Sequence, residues 1–143
     1  MQYMHRALRL AKQAYRQDEV PVGAILVKDH HVISQTHNRC VIDNNPLYHA
    51  EMLAIYQGIS QLQTLYLNEC TLYVTLEPCP MCAAAIAQAR VGKLIFGAYD
   101  HKSGGVEHGP KIFSHAHHTP EIIGGVLEDE CASLLRNFFK KKR

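Results

Sequence analysis

Two short motifs that carry metal-ligand chemistry constrain this chain more than any other feature of its sequence. One is His49-Ala50-Glu51, and the other is Pro78-Cys79-Pro80-Met81-Cys82. Two cysteines three positions apart at a helix start place both sulfurs on one side of that start. The free N–H groups and the positive end of the helix dipole favour thiolate over thiol there. If His49 joins these two sulfurs around one ion, the fold has to bring two helix starts together from distant parts of the chain.

Hydrophobic periodicity predicts an alternation of strands and helices after an opening β-hairpin. The last predicted strand follows Pro120, which restricts it to a sheet edge or to a strand start. This order predicts an α/β fold, a three-layer α/β/α sandwich around a five-stranded mixed sheet. The predicted helices cover residues 2–17, 48–60, a segment that starts within residues 77–80 and ends at residue 89, and residues 128–141. The predicted strands cover residues 20–27, 31–36, 70–76, 93–99 and 121–126.

Length and composition indicate one domain over residues 1–143, with no visible internal boundary or repeat. A chain of this length buries roughly two thirds of its unfolded surface, enough for a core without disulfides. There is no long apolar run, so we expect no membrane partner. The first eighteen residues do not resemble a signal peptide. The five cysteines include a pair three positions apart, which suits a metal in a reducing cytoplasm better than a secreted disulfide framework.

The charge is unevenly placed along the chain. The net charge is +2, but Arg136 and residues 140–143 contribute five positive charges, so residues 1–135 together carry −3. A basic C-terminal end on a mildly acidic body suits contact with phosphates. A solubilising, frayed tail accounts for the same pattern, and charge alone leaves both interpretations open.

The two motifs together predict a catalytic zinc site, with one Zn²⁺ per subunit. Two thiolates balance the charge of the ion, and the imidazole of His49 adds a third ligand. Three protein ligands leave one tetrahedral position for water, which separates a catalytic zinc site from a structural one. Glu51 stands two positions from a ligand, close enough to reach that water without binding the metal. We therefore expect Glu51 to be the catalytic acid and base.

The Cys-x-x-Cys spacing also occurs in redox motifs and in zinc ribbons. A thioredoxin-like redox motif leaves His49-Ala50-Glu51 unexplained and lacks the βαβ context that should follow it. A zinc ribbon needs a second close pair of cysteines, which the sequence does not contain. A histidine from the group His115, His117 and His118 can in principle close the site as a fourth ligand, although such clusters in loops are more often solvated.

The order His-Ala-Glu and then Pro-Cys-x-x-Cys resembles the signature of the cytidine-deaminase superfamily. Flanking motifs are similar to those of bacterial tRNA-specific adenosine deaminases, and the similarity covers nearly the whole chain. These motifs are Val20-Pro21-Val22-Gly23-Ala24, His37-Asn38-Arg39, residues 72–79, residues 96–105, Asp129-Glu130-Cys131-Ala132 and the ending from Phe138-Phe139 into the basic tail.

The resemblance implies a cytoplasmic homodimer that converts the wobble adenosine of a tRNA anticodon to inosine, with the anticodon stem-loop as its partner. It implies that Asn38 lies in the base pocket and that Asp100 and Lys102 contact the anticodon backbone and ribose. Further residues that it places at the substrate are Val22, Ala50, Leu76 and Pro78 around the adenine, and Phe138, Lys140 and Arg143 against the RNA stem.

Each of these residues can equally have an ordinary structural role. Asn38 can close the loop after the second strand, and Asp100 with Lys102 can form a plain polar turn. The apolar residues can belong to the core, and Phe138 can simply pack the last helix. The chain departs from the family pattern at Asn45-Pro46-Leu47-Tyr48, at Tyr99 and over residues 106–118.

The sequence leaves two rival functions open. A deaminase of free cytosine, guanine or a nucleoside shares the zinc motifs but does not need the loop at residues 100–105 or the basic end. A structural zinc module that binds RNA without chemistry is the rival from another class, and it gives Glu51 no role. The sequence also leaves open which tRNAs are used and what Cys40, Cys70 and Cys131 do.

Overall fold

The structure of the protein, a computed structural model, describes residues 2–143. The order of elements is the predicted one, with one short 3-10 turn in addition. The helices are α1 Gln2–Arg16, α2 Ala50–Leu62, α3 Pro80–Gln88 and α4 Glu128–Lys141, the strands are β1 Gly23–Lys28, β2 His31–His37, β3 Cys70–Leu76, β4 Lys93–Ala98 and β5 Glu121–Ile123, and the 3-10 turn covers Ile112–Ser114.

The five strands form one mixed sheet in the order β2-β1-β3-β4-β5. Strand β1 is antiparallel to β2 and β3, and β4 is parallel to β3 and β5. Alternate side chains of β2 reach opposite layers, as the strand period requires. Thr36 donates to Ala50 O of α2, whereas Gln35 accepts a hydrogen bond from Arg6 of α1. Helices α1 and α4 contact each other on one face, and α2 and α3 on the other. The three-layer α/β/α prediction is confirmed.

The core lies on both faces of the central strands. Leu26, Leu72 and Phe96 are fully buried in β1, β3 and β4, and full burial of such a side chain contributes roughly 1.5–3 kcal/mol. On α1 the buried residues recur at helical spacing, as predicted. A Cβ at Gly23 would lie 2.0 Å from the backbone oxygen of Ala7. Glycine there lets α1 lie against β1 where the strand enters the site.

Two predicted strands are shorter than expected. Strand β1 begins at Gly23 rather than at residue 20, because Pro21 has no N–H for a ladder and pairing with β2 starts at Gly23. Strand β5 ends at Ile123, because Gly124 and Gly125 follow and Gly125 adopts a positive φ of 85°. The expectation for Pro120 is confirmed, since β5 starts one residue later and lies at the sheet edge.

The helices bear on the question of a membrane span. Over residues 2–143, every helix is too short or too polar to cross a lipid bilayer.

Candidate metal centre

The two motifs lie at the starts of two helices, at the same end of the sheet. His49 is the N-cap of α2 and Cys79 is the N-cap of α3, both with extended backbone, and Pro80 follows in the first turn of α3. Because β1 is antiparallel to both β2 and β3, the carboxyl ends of β2 and β3 lie at the same end of the sheet. Helices α2 and α3 both start beyond that end, so the fold brings together two motifs that are thirty residues apart in the sequence.

Three ligand atoms converge between these helix starts. His49 Nδ1 lies 3.7 Å from Cys79 Sγ and 3.5 Å from Cys82 Sγ, and the three atoms lie within 4.8 Å of one another. Bond lengths of about 2.0–2.1 Å to nitrogen and about 2.3 Å to sulfur in a tetrahedral zinc site put such atoms roughly 3.5–3.8 Å apart. The donor set and its spacing therefore fit Zn²⁺. Among residues 2–143, no fourth His, Cys, Asp or Glu joins this group.

The two thiols influence each other's ionisation. The pKa of Cys79 falls to about 4, chiefly because it accepts a hydrogen bond from the Cys82 thiol, with His49 adding a further contribution. The pKa of Cys82 rises for the same reason and because the residue is buried. The hydrogen bond to Cys79 raises the pKa of His49. One thiolate is thus already favoured by its surroundings, and a bound cation would favour the second.

Glu51 lies in the first turn of α2 and is buried. Desolvation raises the pKa of its carboxyl to about 7. A carboxyl with a pKa near neutrality can both accept and donate a proton at physiological pH. Glu51 is not a member of the three-ligand group, although it lines the same cavity. This arrangement is the one expected for a proton carrier beside a metal rather than for a fourth ligand.

A cavity of about 470 Å³ opens over the ligand group. Its size is in the range of small-molecule sites. Ala50, Pro78 and Cys82 are buried and do not line the cavity. Eight of the predicted site residues do line it: Val22, Asn38, His49, Glu51, Leu76, Cys79, Asp100 and Phe138.

Three predicted RNA-contacting residues lie outside this cavity. Lys102, Lys140 and Arg143 line a neighbouring groove of about 910 Å³, together with the exposed Phe139. Cavity and groove meet at Asp100, which lines both. Apart from Ala50, Pro78 and Cys82, the predicted site residues therefore divide between a cavity over the candidate ligand group and an adjoining basic groove.

Asn38 combines a structural contact with a position in the cavity wall. Its Oδ1 accepts the N–H of Ala50 at 2.7 Å, which satisfies one of the free donors at the start of α2. The oxygen of Asn38 thus has the structural role, since it fixes the loop after β2 to the helix that follows. The Nδ2 group remains as the part of the side chain that can serve a ligand. Ala50 does not line the cavity, and its contribution is the backbone N–H that holds the side chain of Asn38.

The turn at Asp100 is a polar turn that a buried carboxylate fixes in place. Asp100 Oδ1 accepts the N–H groups of Lys102 and Ser103. Glu77, whose side chain is fully buried, accepts the N–H of Asp100 through Oε1 at 3.0 Å. The sequence alone predicts no role for Glu77, because nothing in the local pattern shows which distant backbone groups it meets.

A second buried carboxylate, Glu19, was also missed by sequence reasoning. Glu19 accepts the N–H of Val41 at 2.9 Å and of Ile42 at 2.7 Å, and it lines the cavity. It thereby holds the loop between β2 and α2, which carries Asn38 at its start. An acidic residue between a helix and a strand gives no sequence signal for such contacts.

The departures from the family pattern at Tyr99 and in the histidine cluster have plain structural roles. Tyr99 packs edge-on against Phe96, with ring centroids 5.1 Å apart. His118 Nε2 bonds the carbonyl oxygen of Val91 at 2.7 Å. His115 and His117 line a separate groove beside α3, with Arg90. The alternative that one of these histidines is a fourth ligand is wrong, because none belongs to the ligand group.

Comparison with known proteins gives consistent matches over the full chain. The family model described as MafB19-like deaminase matches residues 1–143. The tRNA-specific adenosine deaminase of Agrobacterium fabrum is 46% identical over 143 residues, which is 99% of this chain and 94% of that protein. The enzyme of the same name from Aquifex aeolicus is also 46% identical, with the same coverage. The chain belongs to the tRNA-specific adenosine deaminase family.

A solved structure supports this family assignment at the level of the fold. It comes from work on A-to-I editing by tRNA:A34 deaminases at the wobble position of transfer RNA, and it is 44% identical to this chain. The TM-score is 0.92, and the match covers 94% of this chain and 99% of the other. The cytidine-deaminase type of fold implied by the sequence motifs is confirmed, and so is the resemblance to the tRNA-specific adenosine deaminases.

Proposed function

We propose that this protein binds one Zn²⁺ through His49, Cys79 and Cys82 and deaminates the wobble adenosine of tRNA anticodons to inosine. The observation that carries the proposal is a buried, non-ligand carboxylate, Glu51, beside a three-donor group under one cavity. A structural zinc site has no use for such a carboxylate. Family membership at 46% identity supports tRNA as the substrate.

The donor chemistry favours zinc over harder cations. Two thiolates and an imidazole suit Zn²⁺, whereas Mg²⁺ and Ca²⁺ prefer oxygen ligands. A zinc ion held here would act as a Lewis acid and bring the pKa of a water molecule close to 7. His49 and Cys79 belong to the rigid starts of α2 and α3, so the donors are positioned by the fold itself.

Glu51 moves the protons in the proposed reaction. Water adds to C6 of the adenine ring, and Glu51 accepts a proton from that water. Glu51 donates that proton to the ring nitrogen, accepts a second proton from the hydroxyl now bonded to C6, and donates it to the departing amine. The C6–N bond breaks, and the products are inosine and ammonia, so the reaction consumes one water molecule and needs no oxidant or reductant.

The cavity wall positions the base. Val22 and Leu76 supply apolar surface, and Asn38 offers its Nδ2 group beside them. An anticodon loop presents bases that are already unpaired, so little of the few kcal/mol needed to extrude a base has to be supplied. A duplex substrate would have to meet that cost in full.

The basic groove receives the RNA backbone in this proposal. Lys102, Lys140 and Arg143 line it, and Lys142 lies where groove and cavity meet. Cations at such positions neutralise phosphates and release counterions. Phe138 packs α4 against α1, with its ring centroid 5.8 Å from that of Tyr15, so the basic tail leaves from a fixed helix.

The proposal includes a homodimer in the cytoplasm. Several large apolar side chains remain exposed on and after α2, among them Tyr56 at 50% and Leu65 at 72%. Burial of this surface against a second copy would remove it from water. All five cysteines are free thiols, which accords with a reducing compartment.

A substrate comparison tests the proposal against its nearest rival. The zinc-loaded protein would be given a synthetic anticodon hairpin, free adenosine, cytosine and guanine, and the release of ammonia and inosine would be measured. We expect turnover of the hairpin at least a hundredfold above that of any free base or nucleoside. Faster turnover of a free base would overturn the tRNA assignment, and zinc binding without any turnover would favour the structural zinc module.

The role of Glu51 is tested by Glu51→Ala, with zinc content measured beside turnover. Loss of a general acid and base costs typically 10²–10⁴-fold in rate, so we expect a loss in this range with zinc retained. Glu69→Ala is a matched control, since Glu69 is an exposed carboxylate at a distance from the cavity. Full activity of Glu51→Ala would refute the mechanism.

A further inference from the structure

The outward face of α1 carries four cations and no acid. Residues 2–16 contain Arg6, Arg9, Lys12 and Arg16 but neither Asp nor Glu. Their spacing of three, three and four residues places them on one side of the helix, opposite the buried face. Arg9, Lys12 and Arg16 are exposed, and Arg6 is half-buried. We call these four residues the α1 cationic face.

The cationic face has no acidic partner within the described chain. None of the ion pairs among residues 2–143 includes a residue of this face. Arg6 donates to the neutral Gln35 Oε1 at 3.0 Å. Like charges at these spacings destabilise a helix by about 0.2–0.5 kcal/mol per pair. An ordinary solvated helix alternates the signs of its charges, so this cost points to an anion from outside.

The shape beside the face suits phosphate groups. A groove of about 410 Å³ lies between α1 and the edge strand β2, and its lining adds Leu10, Gln13 and Gln35 to the four cations. Guanidinium groups present paired donors that match phosphate oxygens, and amide side chains add neutral donors. The lining of the groove contains no carboxylate, the kind of group that would repel a phosphate.

The cationic face begins at the edge of the catalytic cavity. Asp18, two residues beyond Arg16, lines that cavity and pairs with Lys142 of the tail. Lys141 Nζ lies 4.8 Å from the centre of the Tyr15 ring. The basic tail and the cationic face therefore meet at the end of α1. From Arg16 to Arg6 the face extends about 15 Å along the helix, away from the cavity.

We propose that the α1 cationic face binds backbone phosphates of the tRNA outside the anticodon arm. The inference rests on the proposed function, because it takes tRNA as the molecule held at the adjoining cavity. The basic groove at α4 already serves the nucleotides next to the reacting base. A polyanion that leaves this groove past the end of α1 meets the cationic face next. Contacts of this kind add affinity without reading sequence.

The test compares two RNA substrates and two triple variants. The first variant is Arg9→Gln, Lys12→Gln, Arg16→Gln, which removes three charges and keeps good helix formers. The control is Lys28→Gln, Lys93→Gln, Lys111→Gln, which removes three charges elsewhere, two of them from exposed ion pairs. KM, kcat and the salt dependence of binding would be measured with full-length tRNA and with the isolated anticodon hairpin.

We expect the α1 variant to raise KM for full-length tRNA roughly tenfold and to reduce the slope of log K against log salt by about 2–3. KM for the hairpin and kcat for both substrates should stay within twofold, and the control should match wild type. Unchanged tRNA binding overturns the inference, as does an equal loss with the hairpin.

A lipid surface is the other polyanion that such a face could bind. Sedimentation with phosphatidylserine vesicles that depends on the same three cations would assign the face to that surface and overturn the inference. If the triple variant fails to fold, Lys12→Gln alone decides in the same way: we expect it to reduce the slope of log K against log salt for full-length tRNA by about 0.7–0.9 and to leave the slope for the hairpin unchanged. If wild type deaminates neither RNA, the proposed function fails, while the binding comparison still decides about the cationic face.

Discussion

Glu77 Oε1 accepts a hydrogen bond from His108 Nδ1 at 2.8 Å. The same carboxylate also accepts the backbone N–H groups of Asp100, Val106, Glu107 and His108, at 2.9–3.2 Å. Glu77 stands two residues before Cys79, a member of the candidate ligand group. It therefore connects the loop at residues 100–108 to the segment that carries Cys79 and Cys82. One buried carboxylate thus holds in place two parts of the cavity lining, the loop that begins at Asp100 and the segment that contains Cys79.

Replacement of Glu77 by glutamine should loosen this loop. The amide would turn a donor toward N–H groups that now meet an acceptor, and hydrogen bonds to charged groups contribute about 1.5–3 kcal/mol each. We expect Glu77→Gln to lower the free energy of unfolding by about 2–4 kcal/mol, measured by urea denaturation. The exposed Glu107→Gln is the control and should stay within about 0.5 kcal/mol of wild type. An equally stable Glu77→Gln would show that the loop does not depend on the charge.

The same carboxylate predicts a pH dependence of stability. Burial by itself raises the pKa of Glu77, but the hydrogen bonds from the Asp100 N–H, the His108 ring and the loop amides outweigh it and hold the pKa below 4.5. A lowered folded pKa means that this contribution is fully present above pH 4.5 and is lost as the pH falls through the folded value. Urea midpoints between pH 3 and 6 should therefore fall less steeply for Glu77→Gln than for wild type. Parallel curves would contradict the assignment.

The convergence of His49, Cys79 and Cys82 on one point could be predicted from sequence, and for the two cysteines the reason is local. Cys79 and Cys82 are three positions apart at a helix start, and any such start points both sulfurs the same way. His49 needed one more step, namely that α2 and α3 leave the sheet at one edge. The alternation of strands and helices supplied that step. The fold class followed from the same alternation.

The supporting contacts could not be predicted, because their partners are backbone groups of distant loops. Glu19 and Glu77 each look like ordinary polar residues beside a helix or strand end. Their role depends on the path of the loops at residues 39–47 and 100–108, and no hydrophobic period encodes such a path. The basic residues of α1 can likewise be read from the sequence. The groove that they form with β2, and the position of the tail beside the end of α1, depend on the tertiary structure.

Removal of one thiol should abolish metal binding. Cys82 is fully buried and belongs to the group of three residues that could hold a metal ion, so we expect Cys82→Ala to contain less than a tenth of the wild-type zinc and to show only background deamination. Cys131→Ala is the matched control. Cys131 is equally buried, and burial raises the pKa of its thiol to about 11, so it stays neutral and outside the ligand group. Metal content by atomic emission distinguishes the two variants, and wild-type zinc in Cys82→Ala would refute the site.

The two halves of the Asn38 amide can be separated by mutation. Asn38→Asp keeps the oxygen that accepts the Ala50 N–H but replaces the Nδ2 donor of this cavity-lining residue by an acceptor oxygen. We expect stability within about 1 kcal/mol of wild type and a loss of at least tenfold in kcat/KM on the hairpin. Asn38→Ala removes both groups and should also lose about 1 kcal/mol of stability, as for the loss of a helix cap. If Asn38→Asp keeps wild-type kcat/KM, Asn38 is structural only.

Truncation after Phe139 tests the tail. The deletion removes Lys140 and Arg143 from the basic groove, together with Lys142, which pairs with Asp18. Each phosphate contact that is lost should reduce the slope of log K against log salt by about 0.7–0.9, so the loss of two to four contacts reduces it by roughly 1.5–3.5. The truncation also removes the hydrogen bond from Lys142 that lowers the pKa of Asp18. Because Asp18 is exposed, the loss of this pair should hardly change the unfolding midpoint of the truncated protein. Hairpin binding measured by fluorescence anisotropy between 50 and 300 mM salt gives the slope. A slope equal to that of wild type would make the tail a solvated end with no part in RNA binding.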